Sequence, residues 1–146
     1  MADAWEEQTL QELEGEDWGE PTYDSYVVTT CHRMRRKRVC DLTVEELRLA
    51  IGQQMGLKFL LPIAIRKLND DPFTSAGLYP GDLLRNVARA PFEAWAESPE
   101  LTALLAELKA IIALFFQKAE KMDDAWKVTC LPDIRDVCEP YMRAAN

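Results

Sequence analysis

The chain is expected to fold as an all-α, compact bundle of about five to seven helices, with a long central helix near residues 99–121. Three observations predict this. Apolar residues recur at spacings of three and four over most of the chain beyond residue 40. Helix-start signals stand directly before two of those stripes. Alternating strand patterns are few, and no internal repeat or low-complexity segment interrupts the chain. At 146 residues and 48% apolar content the chain suits one domain. A domain of this size buries roughly two-thirds of its unfolded surface, so it needs no metal or disulfide to hold it.

The elements follow in order. Residues 1–22 are polar and acidic, with Gly15, Gly19 and Pro21, and read as an acidic arm before a single helical domain at 23–146. A short helix at 4–14 is expected there, with the rest flexible and docking through its tryptophans. Asp24 or Ser25 is expected to cap a helix running to about Arg36. Tyr23, Tyr26, Val27, Cys31 and Met34 fall near helical spacing, although Val27-Val28-Thr29-Thr30 is β-branched and argues for a strand. Thr43-Val44-Glu45-Glu46 is a capping box, and Leu42 with Leu47 completes a hydrophobic staple. Val44, Leu47, Ile51 and Met55 form the inward stripe, and Gly56 suits the left-handed residue that ends such a helix.

A second stripe, Leu57, Leu60, Leu61, Ala64, Ile65 and Leu68, is stopped by Asn69-Asp70-Asp71-Pro72. Pro62 fits it only in a first turn or at a kink. Tyr79-Pro80-Gly81-Asp82 is turn chemistry leading into a helix with Leu83, Leu84 and Val87 inward. Pro91 opens a brief helical turn carrying Phe92 and Trp95. Ser98-Pro99-Glu100 supplies an N-cap, a proline at the first position and an acid in the first turn. Behind it Leu101, Leu104, Leu105, Leu108, Ile111, Ile112, Phe115 and Ala119 line one face of the longest helix. Beyond it, Trp126 to Cys130 reads as a short extended piece. Pro132 and Pro140 bracket a weak helix at 133–139.

The formal net charge of -8 is unevenly placed. Residues 1–30 hold nine acids and no base, residues 31–40 five bases and no acid, and the rest 16 acids and 12 bases. An acidic chain lacks the basic footprint that nucleic acid or anionic lipid requires, so neither is expected as a partner. The run His32 to Arg38 is instead expected to pair with the acidic arm or with the acids of helix 43–55. No basic and apolar leader is present, and Ala110 to Phe116 is too short to span a bilayer, so a cytoplasmic location is expected. Cys31, Cys40, Cys130 and Cys138 then read as thiols acting as small buried hydrophobes, at spacings that match no common zinc site.

Catalysis has little to work with. His32 is the single histidine, and as a neighbour of Cys31 it makes a poor dyad, because adjacent side chains diverge. Asp70-Asp71 and Asp123-Asp124 sit at helix ends, where a capping or turn role suffices. No phosphate loop or helical histidine pair is present. The chain is therefore not expected to be an enzyme or to carry a cofactor. A protein partner with a basic surface is the better expectation.

The stretch Asp41-Leu42-Thr43-Val44-Glu45-Glu46-Leu47-Arg48, followed by Ile51-Gly52-Gln53, Gly56-Leu57, Leu60-Leu61-Pro62-Ile63-Ala64 and Leu78-Tyr79-Pro80-Gly81-Asp82-Leu83-Leu84, resembles the immunity proteins of bacterial contact-dependent growth inhibition (CDI) systems. It departs from the family pattern conservatively, at Glu46, Ala50 and Ile63. The resemblance implies a cytoplasmic, non-enzymatic protein that binds and neutralises the C-terminal toxin domain of a cognate effector, commonly a nuclease, in a 1:1 complex. A helical adaptor for an endogenous basic protein is the alternative. Leu47, Ile51, Leu60 and Leu84 read as core, Gly56 and Gly81 as backbone punctuation, and Pro80 with Asp82 as a helix start. The toxin contact is therefore expected on Glu12, Glu14, Glu16, Asp17 and Glu20, with Asp70 and Asp71.

Overall fold

The computed structural model describes residues 4–22 and 25–143. Nine α-helices and two short 3-10 turns account for most of them, and no strand is present among the described residues. The helices are α1 (Leu10–Glu14), α2 (Tyr26–Arg35), α3 (Val44–Gly52), α4 (Leu57–Asp70), α5 (Asp82–Ala88), α6 (Phe92–Trp95), α7 (Pro99–Ala119), α8 (Asp124–Thr129) and α9 (Leu131–Arg143). The all-α expectation holds. The larger helix count comes from single-turn pieces such as α1, α6 and α8.

The clearest start signals form as expected. Thr43 Oγ1 accepts from the Glu46 amide at 3.1 Å, and the Glu46 carboxylate accepts from the Thr43 amide at 3.0 Å. Ser98 caps α7, with Pro99 at its first position. Ser25 caps α2 through the Val28 amide at 3.1 Å, which starts a helix through the β-branched run. Tyr23 and Asp24 lie outside the described residues.

Five expectations need correction. The helix expected at 4–14 is a 3-10 turn at Ala4–Glu7 followed by α1. Thr9 and Glu12 form a second capping box that restarts the helix there. Gly56 does not end α3, which stops at Gly52; it adopts φ 61° immediately before α4. A Cβ at Gly56 would lie 2.8 Å from Leu10 Cδ2, so glycine is what lets Leu10 seat. Trp126 to Cys130 is not extended, because Asp123 Oδ1 accepts from the Trp126 amide at 2.9 Å and starts α8. The last helix runs through Pro140 to Arg143. Pro132 lies in the first turn, where no amide donor is needed, while Pro140 gives up one backbone bond. Burial of Ile134, Cys138 and Tyr141 on one face offsets that loss. Pro62 likewise sits inside α4 rather than in its first turn.

The core lies where α4 meets α3, α5 and α7, and where α9 closes over α5 and α7. Leu47, Ile51, Leu60 and Leu84 are all inside it. An aromatic group of Phe73, Phe115 and Trp126 joins the loop after α4 to α7 and α8, with ring centroids 4.5 to 5.9 Å apart. Among the described residues, no helix is long and apolar enough to cross a membrane.

The cysteines divide by burial. All four are free thiols; Cys31 and Cys138 are buried and Cys40 is exposed. Burial raises the Cys31 thiol and pushes Cys138 up to about 12. In native protein at a mildly alkaline pH, Cys40 is expected to react readily with a thiol reagent, and Cys138 only after denaturant is added. Equal rates at both sites in mass-spectrometric peptide mapping would show that the last helix opens freely.

Candidate functional site

Residues 4–22 are not a detached arm. Leu10 is fully buried, and Trp5 and Leu13 pack on the core. The Val39 amide donates to the Gln8 carbonyl at 2.8 Å, so the segment runs as a strap beside the chain that follows α2. Glu6 is buried and accepts from Arg66 Nη2 at 2.6 Å.

Arg35 holds the second half of the strap. It is only 2% exposed. Its Nη1 pairs with the Glu14 carboxylate, its Nη2 donates to the Glu16 carbonyl at 2.8 Å, and its guanidinium lies 4.2 Å from the Trp18 ring centroid. His32 adds a contact of 3.2 Å between Nδ1 and the Gly19 carbonyl, and packs edge-on against Trp18. His32 thus helps fasten the strap.

Three cations of the basic run pair with the acidic segment or with α3, as expected, whereas Arg38 pairs with Asp41, which belongs to neither. Arg35 meets Glu14, Arg36 meets Glu20 at 3.2 Å, Lys37 meets Glu46 at 2.7 Å and Arg38 meets Asp41 at 2.8 Å. Burial alone would raise the Glu46 carboxyl. The Lys37 ammonium and the Thr43 hydrogen bonds outweigh that and hold it below the usual carboxylate range.

The expected contact acids therefore divide. Glu12 closes the α1 capping box, Asp17 accepts from the Gly19 amide at 2.8 Å, and Asp71 accepts from the Phe73 amide at 2.9 Å. Glu14 and Glu20 are in ion pairs. Glu16 and Asp70 are exposed and, among the described residues, in no ion pair. Asp70 and Asp71 lie at the far end of α4, about 20 Å along its axis from Leu57, so the structure does not bring them together with Glu14 and Glu16.

Glu14 and Glu16 instead face α6 across a groove of about 610 Å³. Leu13, Leu57, Phe59 and Pro91 supply its apolar surface, and Lys58 is its one cation among the described residues. The opposite wall carries Glu93 and Glu97, which the sequence reading missed. The acids on either side of Trp95 in Glu93-Ala94-Trp95-Ala96-Glu97 were the available signal. Among the described residues, no group of three or more metal-ligating side chains is assembled anywhere.

The comparisons with known proteins bear on what such a surface serves. A family model of CDI immunity proteins matches residues 12–105, nearly two-thirds of the chain. The chain belongs to the CDI immunity protein family. No curated protein and no solved structure matches it. Membership gives the chain an immunity function against a CDI toxin and makes a cognate toxin protein its partner. The family is generally non-enzymatic. Within the matched span of this CDI immunity protein lie the strap from Glu12 onward, the basic run and both walls of the groove.

Proposed function

We propose that this CDI immunity protein acts in the cytoplasm by binding the C-terminal toxin domain of its cognate effector one to one, and that the toxin is a nuclease with a basic surface. The family match over 12–105 carries the reading. The net charge of -8 supports the chemical character of the partner, because a surface built to hold phosphate is cationic and attracts carboxylates. Of the acids singled out from sequence, Glu16 and Asp70 have carboxylates in no ion pair among the described residues, whereas Glu12, Glu14, Asp17, Glu20 and Asp71 keep an internal role.

The test is co-purification with the toxin domain encoded beside this gene, together with rescue of growth when that toxin is expressed. The expected result is a complex of one chain each, with slower association as salt rises from about 50 mM to about 500 mM. No complex and no rescue would overturn the reading.

A further inference from the structure

The groove between α1 and α6 is a shaped site with two fixed walls. Its lining includes Leu13, Leu57 and Phe59, which are half-buried and rest on the core, with the Lys58 ammonium 5.7 Å from the Phe59 ring centroid. Its rim carries Glu14 and Glu16 on the strap, Glu93 on α6 and Glu97 just beyond the C-cap of α6. Apolar side chains flanked by charged ones are what a protein-binding surface presents. The strap wall is fixed by the buried Arg35. The α6 wall is fixed by Trp95, which is 1% exposed and donates from Nε1 to the Tyr141 hydroxyl at 3.1 Å. Walls fixed before binding reduce the ordering cost of association.

The charge of the groove is only partly answered within the fold. Arg35 offsets Glu14, but among the described residues Glu16, Glu93 and Glu97 take part in no ion pair, and Lys58 is the one cation lining the groove. The carboxylates stand on opposite walls rather than converging, which suits a row of separate cations better than a single metal ion. A second copy of this chain is a poor occupant, since Arg35, Arg36, Lys37 and Arg38 of its basic run pair with Glu14, Glu20, Glu46 and Asp41 of its own fold.

We propose that this groove receives a segment of the toxin domain in which an apolar side chain is flanked by lysines or arginines. The apolar residue sits on Leu57 and Phe59, and the cations meet Glu16 on one wall and Glu93 with Glu97 on the other. Asp70 and Asp71 lie outside the contact.

This rests on the toxin-binding reading, and the experiment separates the two. The full-length chain is titrated with the toxin domain encoded beside its gene, at several salt concentrations. In E93K/E97K, both substituted side chains are exposed, so the melting temperature is expected to stay unchanged. Binding is expected to weaken about 30-fold or more, with slower association and a shallower dependence on salt. D70K/E120K makes the same change of charge at exposed sites away from the groove and is expected to bind within about twofold of the unaltered chain. Unaltered affinity in E93K/E97K overturns the groove assignment while leaving the toxin-binding reading intact. Loss of affinity in D70K/E120K alone overturns it too, and moves the contact to the other end of α4. Failure of the unaltered chain to bind overturns the reading beneath both.

Discussion

Replacing Trp95 with alanine is expected to lower the stability of the fold by about 4 kcal/mol. Trp95 is among the largest fully buried side chains, and it joins three helices. Its indole Nε1 reaches the Tyr141 hydroxyl of α9, and its carbonyl accepts from Thr102 Oγ1 of α7 at 2.8 Å. The Tyr141 hydroxyl in turn donates to the Ala90 carbonyl at 3.3 Å. Burial raises the Tyr141 phenol above its usual range, against a lowering contribution from Trp95, so it remains a donor at neutral pH. Truncation removes the indole's apolar contacts and leaves a hydroxyl with one partner fewer. For a chain of this length the loss corresponds to a fall in Tm of about 8–16 °C. Trp95→Phe, which keeps most of the apolar volume, should fall by less than half as much. Urea unfolding of both variants checks this; equal losses would mean that the hydrogen bond matters more than the volume.

Asp82→Ala is the second large effect, at about 3 kcal/mol. Asp82 is 1% exposed at the first position of α5. Its Oδ1 accepts from the Ala76 amide at 2.6 Å and its Oδ2 from the Leu78 amide at 2.9 Å. Arg48 lies 3.8 Å from the same carboxylate and donates to the Ala76 carbonyl at 3.0 Å. The alanine would leave two backbone amides without acceptors and a guanidinium beside them without its countercharge. Asp82→Asn, which keeps one acceptor oxygen, should lose about half as much. The readout is again urea unfolding, with hydrogen exchange at Ala76 and Leu78 as the local probe. Slow exchange of those amides in the alanine variant would contradict this account.

The same loop shows what sequence alone can convey. Leu78-Tyr79-Pro80-Gly81-Asp82 was legible as a turn opening a helix, because turn residues and caps act on their immediate neighbours. That Asp82 closes the loop behind it depends on α3 placing Arg48 there, which is a tertiary fact. Gly81 is similar: its φ of 95° suits a glycine, but the need for one is sharpened by Ile134 Cδ1, 2.9 Å from where a Cβ would stand. The stripes of α3, α4 and α7 were readable because their periodicity is long and their caps are strong. α8 was not, since six residues with a β-branched Val128 and Thr129 carry little periodicity.

The strap was misjudged for a different reason. Composition registers nine acids and no base in the first 30 residues, but it does not register that Leu10 finds a slot over Gly56 or that Arg35 is buried under the strap. Once those contacts form, much of the acidic segment's charge is answered within the fold. The candidate site shifts accordingly, from the whole segment to Glu14 and Glu16 facing two glutamates that only the folded chain brings across from them.

The placement of Trp18 gives the molecule an optical reporter. Trp95 and Trp126 are enclosed and Trp5 is partly covered, whereas Trp18 is 42% exposed above Arg35 and beside His32. The long-wavelength edge of the tryptophan emission therefore belongs chiefly to the strap, and the short-wavelength side to the helical core. One spectrum can follow the two parts of the protein separately, without any added dye.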